Sequence, residues 1–130
     1  MNTENPPATI LIVDDHAAVL AALRNWVNAE FPSCRLLTAT SAEEAITSAL
    51  AERPTIVLMD VGLPGLNGIE ATARIKADLP DTQVVILSIH EDAAFQEAAA
   101  AANAAAYMPK RTMYAQLMPL LRSLLAGPAK

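Results

Sequence analysis

The sequence predicts an α/β fold on a parallel sheet, one domain of five strands and five helices. Two observations lead there. Short apolar runs alternate with segments of helical period, the signature of βα repeats. The runs also end in polar residues: Asp14 and Asp15 after residues 10–13, Asp60 after 56–59, Ser88 after 84–87, and Lys110 after Tyr107, Met108 and Pro109. If the strands are parallel, these five groups meet at one edge, where open α/β sheets bind ligands. A carboxylate cluster with one hydroxyl and one ammonium suits a divalent metal and a phosphoryl group.

The elements follow in order. Residues 1–8 read as a flexible lead, residues 9–127 as the domain, and 128–130 as a tail or the start of a linker. Strand one covers residues 9–14, and Val19, Leu20, Leu23 and Val27 then form a helical stripe. Strand two fits residues 35–39. Ser41 and Glu44 form a capping-box pattern, with Ala42, Ala45, Ile46, Ala49 and Leu50 on one face behind it. Strand three is 55–60, and the loop 62–68 is dense in turn residues. A helix over 69–78, strand four over 83–88 and an alanine-rich helix over 92–102 come next. Asn103 suits the left-handed position that closes a helix. Strand five is 104–108, and the last helix carries Leu117, Leu120, Leu121, Leu124 and Leu125. Pro119 lies within it and predicts a kink or a late start.

Composition narrows the function. The 130 residues are 53% hydrophobic but only 4% aromatic, so the core is aliphatic and alanine allows close helix contacts. A net charge of −5 argues against direct nucleic-acid or anionic-membrane binding and favours a cation or cationic partner. The single cysteine, Cys34, excludes an intrachain disulfide and fits a reducing compartment, with its thiol buried. The start of the chain is not a signal peptide and no later run is long enough to span a membrane, so the expected location is cytoplasmic. His16 and His90 have no cysteine or second histidine at ligand spacing, which argues against zinc.

The residues Val13-Asp14-Asp15-His16, Met59-Asp60, Leu63-Pro64-Gly65-Leu66-Asn67-Gly68, Ser88 and Tyr107-Met108-Pro109-Lys110 together resemble the receiver domain of two-component response regulators. The resemblance covers about residues 9–127 and implies a doubly wound, flavodoxin-like sheet of order 2-1-3-4-5. It makes Asp60 the phosphoryl acceptor, fed by a sensor histidine kinase or phosphotransfer protein. Asp14, Asp15, Asp60 and the carbonyl of Gly62 would hold Mg²⁺, a cation of hard oxygen ligands. Two carboxylates about 4 Å apart repel by roughly 4 kcal/mol at an effective dielectric of 20, so a cation belongs among them. Lys110 would pair with Asp60 and then with a phosphoryl oxygen, and Ser88 would bond another. The Pro109–Lys110 bond is expected to be cis. Ser88 and Tyr107 would switch the surface of helix four, strand five and helix five, a possible homodimer face. Gly62 and His90 occupy the positions that tune dephosphorylation, and Ile89 would restrict access.

Three departures from the family bear on output: Asn103, Ala104 and Ala106 replace glycines, residues 98–102 make helix four bland, and Pro119 interrupts helix five. The style of residues 13–16 and 120–127 resembles regulators that continue into a helix-turn-helix domain. The chain is then either a receiver cut from a longer transcription factor or a stand-alone receiver. It is expected to signal rather than to turn over a substrate, catalysing only its own phosphotransfer and dephosphorylation. Two other readings differ in class. An unphosphorylated interaction module would leave the five polar residues without purpose. A Mg²⁺-dependent phosphohydrolase needs a cap and an acid two positions after the nucleophile, where Gly62 stands.

Overall fold

The computed structural model describes residues 7–62 and 67–126. The elements are β1 (Thr9–Val13), α1 (Ala17–Glu30), β2 (Arg35–Ala39), α2 (Ala42–Glu52), β3 (Ile56–Asp60), α3 (Gly68–Asp78), β4 (Gln83–Ser88), α4 (Ala93–Ala101), β5 (Ala106–Pro109), a 3₁₀ turn (Lys110–Thr112) and α5 (Met113–Ala126). The strands form one sheet in the order β2-β1-β3-β4-β5, every pairing parallel. The doubly wound sheet and its flavodoxin-like order are therefore as expected.

Parallel sheets are covered on both faces, so their strands are apolar throughout. β3 is buried at all five positions. Alternate residues feed two cores. Leu11, Val57 and Val84 meet Ala45, Ala71, Ile75 and Ala99 from α2, α3 and α4. Ile12, Leu58 and Val85 meet Leu23 and Val27 of α1 with Leu117 and Leu121 of α5.

Five local expectations change. Val19 and Leu50 lie at the margins of their stripes and are exposed. Ser41 caps α2, but Glu44 accepts from the amide of Thr40 at 2.7 Å, one residue before the cap. Pro119 neither ends nor delays α5, which runs from Met113 to Ala126. The proline faces solvent, so water can satisfy the carbonyl that loses its intrahelical donor. The Pro109–Lys110 bond is trans, as is every described peptide. The low cost of cis belongs to the tertiary amide preceding a proline, here Met108–Pro109; Pro109–Lys110 is an ordinary secondary amide. Cys34 is half-buried rather than buried, and desolvation raises its thiol pKa.

Two caps place elements beside the sheet edge. Asn103, at φ 69°, closes α4, and the amides of Asn103 and Ala104 return to the carbonyls of Ala100 and Ala99. α3 starts with a full capping box: Asn67 Oδ1 accepts from the Glu70 amide at 2.9 Å, and Glu70 accepts from the Asn67 amide. Asn67→Ala is expected to cost about 1 kcal/mol. Urea unfolding checks this, and an unchanged midpoint would show that the cap contributes nothing.

Candidate functional site

All five polar residues that end the apolar runs gather at the carboxyl edge of β1, β3, β4 and β5. The ladder carries Asp14 there: its amide still donates to Ala39 of β2. Asp60 is the last residue of β3 and Ser88 of β4, and Lys110 follows β5 directly. Asp14 is 1% exposed, Asp60 6% and Ser88 1%. Buried carboxylates require partners, and Lys110 supplies one. Its Nζ lies 3.2 Å from Asp60 Oδ1 and 3.5 Å from Asp14 Oδ2. The Gly62 amide points at Asp60 Oδ1 from 3.4 Å. Asp15 is more exposed and reaches His16 Nδ1 at 3.1 Å.

A cleft of about 230 Å³ opens over this cluster, lined by Asp60, Gly62, Ser88 and Lys110, with His16, Ile89 and His90 at its walls. A Cβ on Gly62 would meet nothing within 4 Å, so the side of the cleft beside Asp60 is open. Ile89 is 77% exposed and narrows the mouth without closing it. Among the described residues Asp14, Asp15 and His16 bring donor atoms within 4.8 Å of one another, and the two carboxylates, with Asp60 in the adjoining cleft, offer the hard oxygen that a Mg²⁺-sized cation takes. The loop 63–66 lies outside the described residues.

The wall after β4 is tied in several places. Ser88 Oγ accepts from the His90 amide at 2.9 Å, and the Tyr107 hydroxyl donates to the His90 carbonyl at 2.8 Å. The His90 ring stacks on Phe95 of α4, with centroids 4.4 Å apart. Arg111 grips Glu91 through two hydrogen bonds of 2.6 and 2.9 Å. Those bonds from Arg111 hold the Glu91 carboxyl below its ordinary pKa.

Sequence reasoning brought Asp14, Asp15, Asp60, Gly62, Ser88, His90, Tyr107 and Lys110 to one region, and the fold does unite them. It missed the Glu91–Arg111 pair, since side chains 20 residues apart leave no local pattern. It also gave no role to Gly68, whose contact with Asp60 is tertiary: a Cβ there would stand 2.2 Å from the Asp60 carbonyl oxygen. Tight approach of α3 to the end of β3 was the available signal, in a glycine following a cap-forming asparagine.

Comparisons with known proteins agree with this geometry. Residues 10–122 match the family model described as the response regulator receiver domain. The chain is 32% identical over 120 residues to the transcriptional activator protein ExaE of Pseudomonas putida, covering 92% of this chain and 56% of that protein. It is 34% identical over 119 residues to the response regulator GacA of Pseudomonas viridiflava, covering 91% and 55%. The chain thus spans little more than half the length of these relatives. A LuxR-family two-component response regulator from an Aurantimonas species superposes with a TM-score of 0.85 at 34% identity, over 93% of this chain and 86% of that one. With the match spanning most of the fold and the acidic cleft in place, the chain belongs to the response regulator receiver domain family, a family of signalling modules rather than turnover enzymes.

Proposed function

We propose that Asp60 accepts a phosphoryl group from the phosphohistidine of a sensor histidine kinase or phosphotransfer protein. A carboxylate oxygen of Asp60 forms the new bond to phosphorus as the bond to the imidazole nitrogen breaks, and the imidazole leaves. Little covalent chemistry is asked of the protein, which positions groups and balances charge. The observation that carries this reading is Lys110 held 3.2 Å from Asp60 at the mouth of the cleft, poised to move its charge to a phosphoryl oxygen. Asp14, Asp15, Asp60 and the Gly62 carbonyl would hold Mg²⁺. When bound, that ion neutralises charge on the transferring oxygens.

Phosphorylation adds about one negative charge and new acceptor oxygens beside Ser88. Ser88 then exchanges its bond from the His90 amide for one to the phosphoryl group, which loosens the wall that Tyr107 and Phe95 hold. The surface of α4, β5 and α5 responds as a population shift between two states. That surface would act on transcription, through a DNA-binding domain outside this chain or through a second copy; the name of ExaE, a transcriptional activator protein, supports this. His90 and Gly62 set access of hydrolytic water, and the acidic chain itself leaves DNA alone. Such a pathway runs in the cytoplasm.

Amide NMR spectra with Mg²⁺, then with Mg²⁺ and beryllofluoride, test the reading. Shifts should begin at Asp14, Asp15 and Asp60 and spread to Ser88, Tyr107 and α4 on the second addition. Metal shifts with no response to beryllofluoride would indicate an interaction module that takes no phosphoryl group.

A further inference from the structure

His16 has no part in the account above, yet its side chain is placed with care. It stands at the N-cap of α1 with extended backbone (φ −97°, ψ 112°), and its ring makes no cap hydrogen bond. The ring turns back to the sheet edge instead. Nδ1 lies 3.1 Å from Asp15 Oδ1 and 3.3 Å from Asp14 Oδ1. One donor atom from each of Asp14, Asp15 and His16 lies within 4.8 Å of the others, and His16 walls the same cleft as Asp60.

An octahedral ion with bonds of about 2.1 Å sets adjacent donors about 3.0 Å apart. The two His16 distances, in themselves hydrogen-bond and ion-pair contacts, are close to such edges. Asp14 divides its oxygens: Oδ2 faces Lys110, while Oδ1 accepts from the His16 amide at 2.9 Å and keeps a second lone pair toward the His16 ring. A cation on the Oδ1 side therefore does not have to displace the ammonium of Lys110. The His16 side chain is 70% exposed, and the Nε2–H tautomer, donating to water, is the one that presents an Nδ1 lone pair to an ion.

We propose that His16 Nδ1 is a further ligand beside Asp14 and Asp15 and turns the site toward octahedral first-row divalent ions such as Mn²⁺, Co²⁺ or Ni²⁺. This rests on the acidic cleft being a metal site. Imidazole suits these ions, whereas Mg²⁺ prefers oxygen and keeps its waters. An all-oxygen site lacks that bias.

Calorimetric titration of Mg²⁺ and, separately, Co²⁺ into the wild-type chain and His16→Gln at about pH 8, where imidazole is neutral, tests the proposal. Circular dichroism verifies that the exposed substitution leaves the fold intact. Co²⁺ affinity should fall about tenfold or more in the variant while Mg²⁺ affinity stays within about twofold. Mn²⁺ bound to the wild type should also show nitrogen modulation in its electron spin echo, absent in the variant. Equal losses for both ions would mean that the ring only steadies the carboxylates. Unchanged affinities would mean that it touches no metal. Either result overturns the role of His16 while leaving the Mg²⁺ site standing. A wild-type chain that binds neither ion would overturn the metal site itself.

Discussion

Asp60→Asn should take up phosphoryl groups from acetyl phosphate at less than about a thousandth of the wild-type rate, because the amide is no nucleophile. The substitution keeps shape and volume in a position only 6% exposed. It also keeps an oxygen for the Gly62 amide, which contacts Asp60 Oδ1 at 3.4 Å. The fold should therefore survive, and loss of uptake would be chemical rather than structural. Intact-mass spectrometry after incubation with acetyl phosphate and Mg²⁺ reads the result directly. Uptake at the wild-type rate would move the acceptor to Asp14 or Asp15 and dismantle the assignment of roles in the cleft.

Gly68→Ala should destabilise the domain by about 3 kcal/mol, near the upper end for overpacking. Helix propensity alone argues the other way, since alanine is favoured over glycine within a helix by about 1 kcal/mol. Contact decides the sign. The new Cβ would stand 2.2 Å from the Asp60 carbonyl oxygen and 3.0 Å from both the Asp60 carbonyl carbon and Met59 Cγ. Two of those three atoms are backbone and cannot swing aside. Either α3 retreats, loosening Ala71 and Ile75 from the core, or β3 shifts at its last residue. The second response displaces Asp60, the proposed acceptor, so phosphoryl uptake should slow along with the fall in stability. A urea midpoint equal to or above that of the wild type would show that α3 accommodates the methyl without strain.

Most of the architecture was legible because one signal was strong. Apolar runs buried on both faces of a parallel sheet need no fine reading, and β2 and β4 fall at the residues expected. The site was legible for a related reason: each functional group sits at the point where its run ends, so finding the strands located the residues. What escaped depends on contacts between distant segments. Whether Val19 is buried depends on where α5 lies relative to α1, which periodicity within α1 cannot report. Pro119 reads as a break in isolation, yet Leu117 and Leu121 on the inner face hold the helix together across it. The Pro109–Lys110 bond failed through chemistry: a proline relaxes the bond before it, not the one after.

The two helices that flank β5 are anchored unequally. α4 buries a single residue, Ala99, whereas α5 buries Met113, Leu117, Met118 and Leu121. Each large apolar side chain contributes about 1.5–3 kcal/mol on burial, and alanine far less. They also rest on opposite sides of the sheet, α4 on one core and α5 on the other. Detaching α4 is consequently the least costly local opening near the cleft, and α5 can remain seated while it happens. The face formed by α4, β5 and α5 is thus fastened firmly on one side only, a loose flap beside a fixed post.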